Sequence, residues 1–324
     1  MILGIDLSKR YFDATLRSTA GATWYARFTN DAAGIAALLA WLRSHGVQTL
    51  PACMEATNIY WEEVAQRLPE QGYTVSVVNP ARIKGFAQSQ LRRNKTDKQD
   101  SAVIAAFCAA MKPAVWQPPS ELQRRLRSLE RHRDDLQQSL TQQKNRLATS
   151  KEPAVQASLQ RLIDALQQEL AQVDQQVAEL VEQDETLRHN KALLRSIKGI
   201  GDKTAYKLMA ELYDLPHYET ARAAAADAGL TPAHFESGDT VRRKAKLSKV
   251  GKAAIRRILY FPAITAMRFN PLIRAFAERL RQRGKPEKVI IAAVMRKLVH
   301  LSFGVLKHQT PFDPKWGLAQ PIPT

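Results

Sequence analysis

Asp97 and Asp100 close the stretch Arg92-Arg93-Asn94-Lys95-Thr96-Asp97-Lys98-Gln99-Asp100, and the apolar run Ser101 to Cys108 follows directly. Three residues apart at the start of a helix, the two carboxylates share one face near its N-terminus. With the cations Arg92, Arg93 and Lys95 beside them, they have the composition of a metal site that meets phosphate. Asp is also favoured in any first helical turn, where it caps unpaired N–H groups. The pair therefore gains chemical meaning only from carboxylates elsewhere.

Two such carboxylates lie upstream. Asp6 sits between Ile5 and Leu7 in an apolar strand pattern, on the face away from those neighbours, and Glu55 ends the apolar run Leu50 to Met54. A carboxylate on an interior strand is costly unless it is hydrogen-bonded or holds a cation; the alternative for Asp6 is a solvated strand face. Four acids in the order Asp6, Glu55, Asp97, Asp100, if gathered, repel one another until a cation neutralises them. Oxygen-only ligands select Mg²⁺ or Mn²⁺ over zinc. The chemistry such a cluster supports is phosphodiester cleavage or transfer on nucleic acid.

Charge points the same way. The 324 residues carry a formal net charge of +17, which calls for a polyanionic partner, and an apolar content of 45% fits a globular protein of about two domains. No uninterrupted apolar run approaches the roughly 18 residues of a membrane span, the late apolar segment being broken by Arg296 and Lys297. The start Met1-Ile2-Leu3-Gly4-Ile5-Asp6 lacks a secretory pattern, and Cys53 and Cys108 match no zinc spacing or disulfide framework. The expected setting is the cytoplasm.

The elements that must position the acids follow from periodicity. Ile2 to Leu7, Tyr11 to Arg17 and Thr23 to Thr29 read as an antiparallel meander. A helix over Asp31 to His45, the strand ending at Glu55, a helix over Tyr60 to Gln71 and a strand over Thr74 to Val78 come next. Three antiparallel strands followed by strand and helix alternation is the order of ribonuclease-H-like folds.

After the Pro-rich break at 113–119, Leu122, Leu126, Leu129, Leu136, Leu140 and Leu147 form a coiled-coil stripe, with polar residues at 133 and 143. A second stripe runs from Val155 to Leu180 after a break at Ser150 to Pro153. Together they predict an antiparallel helical hairpin, serving either as an intramolecular arm or as a means of oligomerisation. The expected organisation is α/β plus α. It comprises a ribonuclease-H-like domain over 1–116, a coiled-coil hairpin over 117–190, a mostly helical domain over 191–310 and a tail over 311–324.

The helical domain opens with Lys198-Gly199-Ile200-Gly201-Asp202-Lys203, the pattern of a helix-hairpin-helix. Gly199 and Gly201 let backbone N–H groups approach phosphate, and Lys198 and Lys203 add charge without base specificity; a plain tight turn is the alternative. A polar loop, Ala228 to Thr240, precedes residues 240–277, which hold ten Lys or Arg and no Asp or Glu. Arg242, Arg243, Lys244, Lys246, Lys249, Lys252, Arg256 and Arg257 read as a phosphate-binding surface. Ser237 in that loop has no identifiable base beside it and reads by itself as a loop serine.

In combination, Gly4-Ile5-Asp6-Leu7-Ser8-Lys9, Met54-Glu55-Ala56-Thr57, Val78-Asn79-Pro80, Asn94-Lys95-Thr96-Asp97 with Asp100, Gly199-Ile200-Gly201, Ala228-Gly229-Leu230-Thr231-Pro232 and Glu236-Ser237-Gly238 resemble one family. The chain looks like a DEDD insertion-sequence transposase of the bridge-RNA-guided recombinase kind. That resemblance implies a RuvC-like domain whose four acids are Asp6, Glu55, Asp97 and Asp100, and a C-terminal domain whose nucleophile is Ser237. It implies recombination of donor and target DNA through a covalent phosphoserine, assisted by Mg²⁺ or Mn²⁺. A noncoding guide RNA and a homo-oligomer, a dimer or tetramer, with acids and serine from different subunits, are implied as well. Two positions depart from the expected motifs: Asn58 stands where glycine is expected, and Asp239 adds a carboxylate beyond Ser237. A RuvC-like junction nuclease that uses water, and a nonenzymatic nucleic-acid binder, are the alternative functions.

Overall fold

A computed structural model describes residues 1–56, 58–90, 96–237, 241–248 and 250–314, with the backbone alone described at 217, 234–237 and 241–246. The chain divides into two compact units, Met1–Pro118 and Pro119–Thr324.

The first unit is a five-stranded mixed sheet built from β1 (Ile2–Leu7), β2 (Tyr11–Arg17), β3 (Thr23–Thr29), β4 (Pro51–Glu55) and β5 (Thr74–Val78), in the order β3-β2-β1-β4-β5. The meander β1, β2, β3 is antiparallel, as its short turns require, and β4 and β5 add in parallel through helical crossovers. Alternation divides the side chains between two faces. Leu3, Ile5, Leu7, Phe12 and Leu16 join Ile35, Leu38 and Leu42 of α1 (Ala32–Ser44) and Val64 and Leu68 of α2 (Glu62–Glu70) in one core. The opposite face receives α3 (Pro80–Ser89) and α4 (Asp97–Met111), where Cys53 and Val78 pack with Ile83, Ile104 and Phe107.

The helix α3 has no counterpart among the sequence expectations. Its start is nevertheless explicit: the Asn79 side chain accepts a hydrogen bond from the Ala81 amide, and Pro80 occupies the first helical turn.

In the second unit, α5 (Glu121–Thr149) and α6 (Pro153–Gln183) form the expected hairpin. Ser120 and Gln123 make a reciprocal capping box at its start. At the first polar interruption of the stripe, Arg133 reaches Asp174 on α6 at 2.6 Å. At the second, Gln143 is buried and accepts from Arg146. Leu126, Val173, Val177 and Leu180 root the hairpin in the core of the following helices. Those helices are α7 (Glu185–Arg195), α8 (Asp202–Glu211), α9 (Ala221–Asp227), α10 (Ala253–Phe269), α11 (Pro271–Gln282) and α12 (Glu287–His308).

Lys207 of α8 is buried, its ammonium 2.9 Å from Asp134 of α5 and donating to the Glu130 carbonyl at 3.2 Å. Burial holds the nearby Glu130 carboxyl up at about 7. Among the described residues, α12 alone would pass for a membrane span by length and apolar character. Ile290, Val294, Leu298 and Val299 are instead fully buried among α7 to α11, which makes it a core helix.

The expected polar loop before the basic stretch is corrected to a β-hairpin, β6 (Pro232–Ser237) with β7 (Val241–Leu247). Turn-forming residues flank it, but Phe235, Glu236 and Ser237 pair with Arg243, Arg242 and Val241 as antiparallel strands, with a register shift between Ala233 and Phe235. Pro232 stands at the first strand position, where a missing N–H is tolerated.

Gly4 decides where α4 can lie. A Cβ there would stand 2.3 Å from both the Ala105 amide nitrogen and the Ser101 carbonyl oxygen, so the helix backbone rests directly on β1. Gly4→Ala is expected to cost about 1–3 kcal/mol by forcing α4 off the sheet. Thermal unfolding checks this, and an unchanged midpoint would show that the seat tolerates a side chain.

Candidate active site

The face of the sheet under α4 carries a row of ionisable groups fixed by register. Asp6 pairs across β1 and β2 with Asp13, and Asp13 pairs across β2 and β3 with Arg27. On the other side of β1, Leu3, Gly4 and Ile5 align with Ala52, Cys53 and Met54, so the same parallel register continues to Glu55 beside Asp6. Directly paired residues of neighbouring strands project from the same face, so these side chains form one line across the sheet.

The helix α4 brings the remaining two acids. Thr96 caps it by accepting from the Gln99 amide, which starts the helix at Asp97. Ser101, packed over Gly4, shares a 2.7 Å hydrogen bond with Thr15 of β2, and both hydroxyls are buried. That bond fixes the rotation of the first turn. Asp97 then reaches the Arg27 guanidinium at 2.6 Å, while Asp100 is the neighbouring charge that acts most on Asp6.

Electrostatics link the four acids singled out in the sequence. Burial raises the Asp6 carboxyl to about 7, with further contributions from Asp100, Glu55, Asp97 and Asp13 in that order. Glu55, Asp97 and Asp100, from β4 and α4, thus each act on Asp6 of β1. Among the described residues no three acidic, histidine or cysteine side chains stand ready around one point for a metal ion. One reason is visible: the Asp97 carboxylate is turned to Arg27.

Asp13, Tyr25 and Arg27 complete the row and were not among the sequence candidates. Asp13 is almost fully buried, accepting from the Tyr25 hydroxyl at 2.5 Å and from two Arg27 nitrogens at 3.0 and 3.2 Å. Its signal was the one that marked Asp6, a carboxylate inside an apolar strand, here between Phe12 and Ala14.

Asn58, which departs from the expected glycine, has φ +52°. This is the left-handed region that glycine enters freely and asparagine tolerates better than most residues. Arg92, Arg93 and Lys95 lie outside the described residues.

In the second unit, α7, the turn 196–201 and α8 make a helix-turn-helix at the expected place. Gly199 has φ +113° and would place a Cβ 2.7 Å from that of Ala266, so both conformation and packing demand glycine. Gly201 caps α8; a Cβ there would meet nothing within 4 Å, which leaves the helix N-terminus approachable. Lys198 is exposed, whereas Lys203 pairs with Asp174 at 2.7 Å.

The basic stretch divides. Lys252 is corrected from a phosphate contact to an internal one. Its ammonium lies 2.9 Å from Asp227 and 3.7 Å from Asp214 and donates to the Glu211 carbonyl. Arg256 likewise turns inward, donating to the carbonyls of Ala228 and Gly251. Arg257 is exposed. Arg242, Arg243, Lys244 and Lys246 lie on β7 and Ser237 ends β6, its Cα paired with Val241. Only the backbone of these five is described, and Gly238, Asp239 and Lys249 lie outside the described residues.

Two family models match in chain order. Residues 3–150 match a DEDD transposase domain, described as a transposase, and residues 191–278 match the transposase IS116/IS110/IS902 family. The chain is 33% identical over 320 residues to the pilin gene-inverting protein of Moraxella bovis, covering 97% of this chain and 98% of that one. It is 32% identical over the same length to the corresponding Moraxella lacunata protein. To the transposase for insertion sequence element IS1111A of Coxiella burnetii it is 22% identical over 295 residues, 82% of this chain and 78% of the other.

An acid-bearing mixed sheet joined in sequence to a basic helical unit, with these relatives, is a DNA-rearranging enzyme of the transposase and recombinase class. The chain belongs to the IS110 family of transposases.

The raised Asp6 pKa has a thermodynamic consequence. Asp6 titrates at about 7 when folded, against an ordinary 3.8. Below the ordinary value it is protonated in both states, so its environment costs nothing. As pH rises towards 7 the unfolded chain ionises first, so stability falls across that window and levels off above it. In divalent-free buffer the parent should therefore lose denaturant resistance relative to Asp6→Asn between about pH 4 and pH 7. Parallel profiles would contradict the buried, acid-surrounded setting of Asp6.

Proposed function

We propose that the first unit is a ribonuclease-H-like, RuvC-like catalytic domain and that the protein recombines DNA through a covalent phosphoserine at Ser237. The observation that supports this reading is the desolvated Asp6 carboxyl, raised to about 7 by burial and further by Asp100, Glu55 and Asp97. The sheet order β3-β2-β1-β4-β5, antiparallel then parallel, supports the fold assignment.

The four acids fit a hard divalent cation: every donor is a carboxylate oxygen, and their mutual repulsion is relieved by positive charge. Mg²⁺ or Mn²⁺ held by them supplies Lewis-acid stabilisation of charge developing on phosphate oxygens. Arg27 keeps Asp97 ion-paired, so the first turn of α4 is ordered around that carboxylate.

In the proposed reaction the Ser237 hydroxyl oxygen forms a bond to phosphorus as one phosphate ester bond breaks. The departing strand oxygen takes up a proton, and the serine gives one up. One phosphodiester is thereby exchanged for another, and a hydroxyl from a second strand reverses the step to rejoin DNA without external energy. Ser237 ends a strand beside a sequence dense in Arg and Lys, which suits a nucleophile addressing backbone phosphate. The exposed Lys198 and the Gly201 end of α8 supply backbone grip. Guidance by a noncoding RNA and assembly as a dimer or tetramer belong to the same proposal, as does action in the cytoplasm.

The test uses purified protein, Mg²⁺, labelled donor and target DNA and the noncoding RNA of its own element. A denaturation-resistant protein–DNA adduct is expected in the parent and absent in Ser237→Ala, which should still bind DNA. Cleavage without any adduct, persisting in Ser237→Ala, would overturn the serine mechanism and leave a water-using nuclease.

A further inference from the structure

Helix α10 presents an outer face that the fold leaves uncovered. Phe261 is 73% exposed and Phe269 63% exposed, values far from those of core aromatics. At 100° per residue, Arg257, Phe261 and Arg268 fall within one narrow arc, so Phe261 shares its side of the helix with two exposed cationic residues. Tyr260 meets Phe261 edge-on, with ring centroids 5.4 Å apart and planes at 88°. That arrangement stiffens the pair.

Phe269 lies about 12 Å further along the helix by its rise per residue. It carries the Arg268 guanidinium 5.7 Å from its ring. It also adjoins the glycine turn. Ala266 packs on Gly199, and the Asn270 side-chain amide donates to the Lys198 carbonyl at 3.3 Å.

We propose that this face of α10 is a stacking platform for an unpaired DNA strand, with Phe261 and Phe269 receiving bases and Arg257, Arg268 and Lys198 following the backbone. The proposal rests on the reading that the second unit binds nucleic acid. Aromatic rings interleaved with cations are the composition that binds single strands, because every base has a π face and every nucleotide a phosphate. A second copy of the chain is a poor occupant. It would set the exposed cations Arg257, Arg268 and Lys198 against their own copies. Membership of a family of DNA transposases favours DNA as the strand.

The test measures fluorescence anisotropy of an unpaired deoxyoligonucleotide, its duplex and the RNA of the same sequence with the full-length protein. Phe261→Ala and Phe269→Ala are each expected to weaken binding of the unpaired DNA about fivefold or more. Duplex affinity should be unchanged, and Phe261→Trp should retain parental affinity. Melting curves confirm that each variant is folded. Equal affinity in parent and alanine variants, an equal loss on duplex, a loss confined to RNA, or loss of self-association in place of DNA binding would each overturn the platform. A parent that binds no nucleic acid would overturn the reading of the second unit, and the platform with it.

Discussion

The close approach of α4 to β1 at Gly4 is the constraint on which the candidate active site depends. The main chain of the helix touches the main chain of the strand there, with no space for a methyl group. Core packing of Ile104 and Phe107 holds the body of the helix down, and the buried hydroxyl pair of Thr15 and Ser101 sets its rotation. With both satisfied, the first turn of α4 brings Asp97 to Arg27 and lets Asp97 and Asp100 act on Asp6. The resulting repulsion is tolerated because Arg27, Tyr25 and the register of β2 and β3 hold Asp13, leaving Asp6 as the desolvated member of the group.

The second unit solves a different problem, placing a large positive charge without unfolding. Part of that charge is neutralised internally: Lys252 holds Asp214 and Asp227 together, and Lys207 ties the hairpin to α8. The remainder, with Arg257, Arg268 and Lys198, stays at the surface beside uncovered aromatics. Sequence charge therefore overstates the phosphate-facing charge, and burial decides which cations are available.

Much of this was legible in the sequence. The strands β1, β2, β3 and β5 fall on their expected residues because each is a short alternating run bounded by turn formers. Asp6 and Glu55 share a sheet face through the register of β1 and β4, Asp97 and Asp100 stand in the first turn of α4, and Glu55, Asp97 and Asp100 all add to the raised pKa of Asp6. Lys252 and Arg256 could not be told from Arg257, since the direction of a cation near a helix start depends on distant partners such as Asp214 and Asp227. The hairpin of β6 and β7 was hidden by flanking turn formers and by charges that alternation does not separate. Asp13 was hidden because its role depends on cross-strand neighbours 12 and 14 residues away.

The central claim is that carboxylates from β1, β4 and α4 form one cation site. The most direct measurement is Mn²⁺ binding to the full-length protein, followed by electron paramagnetic resonance, in the parent, Asp6→Asn, Glu55→Gln and Asp100→Asn. The account predicts saturable binding by the parent, weakened about tenfold or more by each substitution, with folding intact. Parental binding in all three variants, or none in the parent, would contradict it.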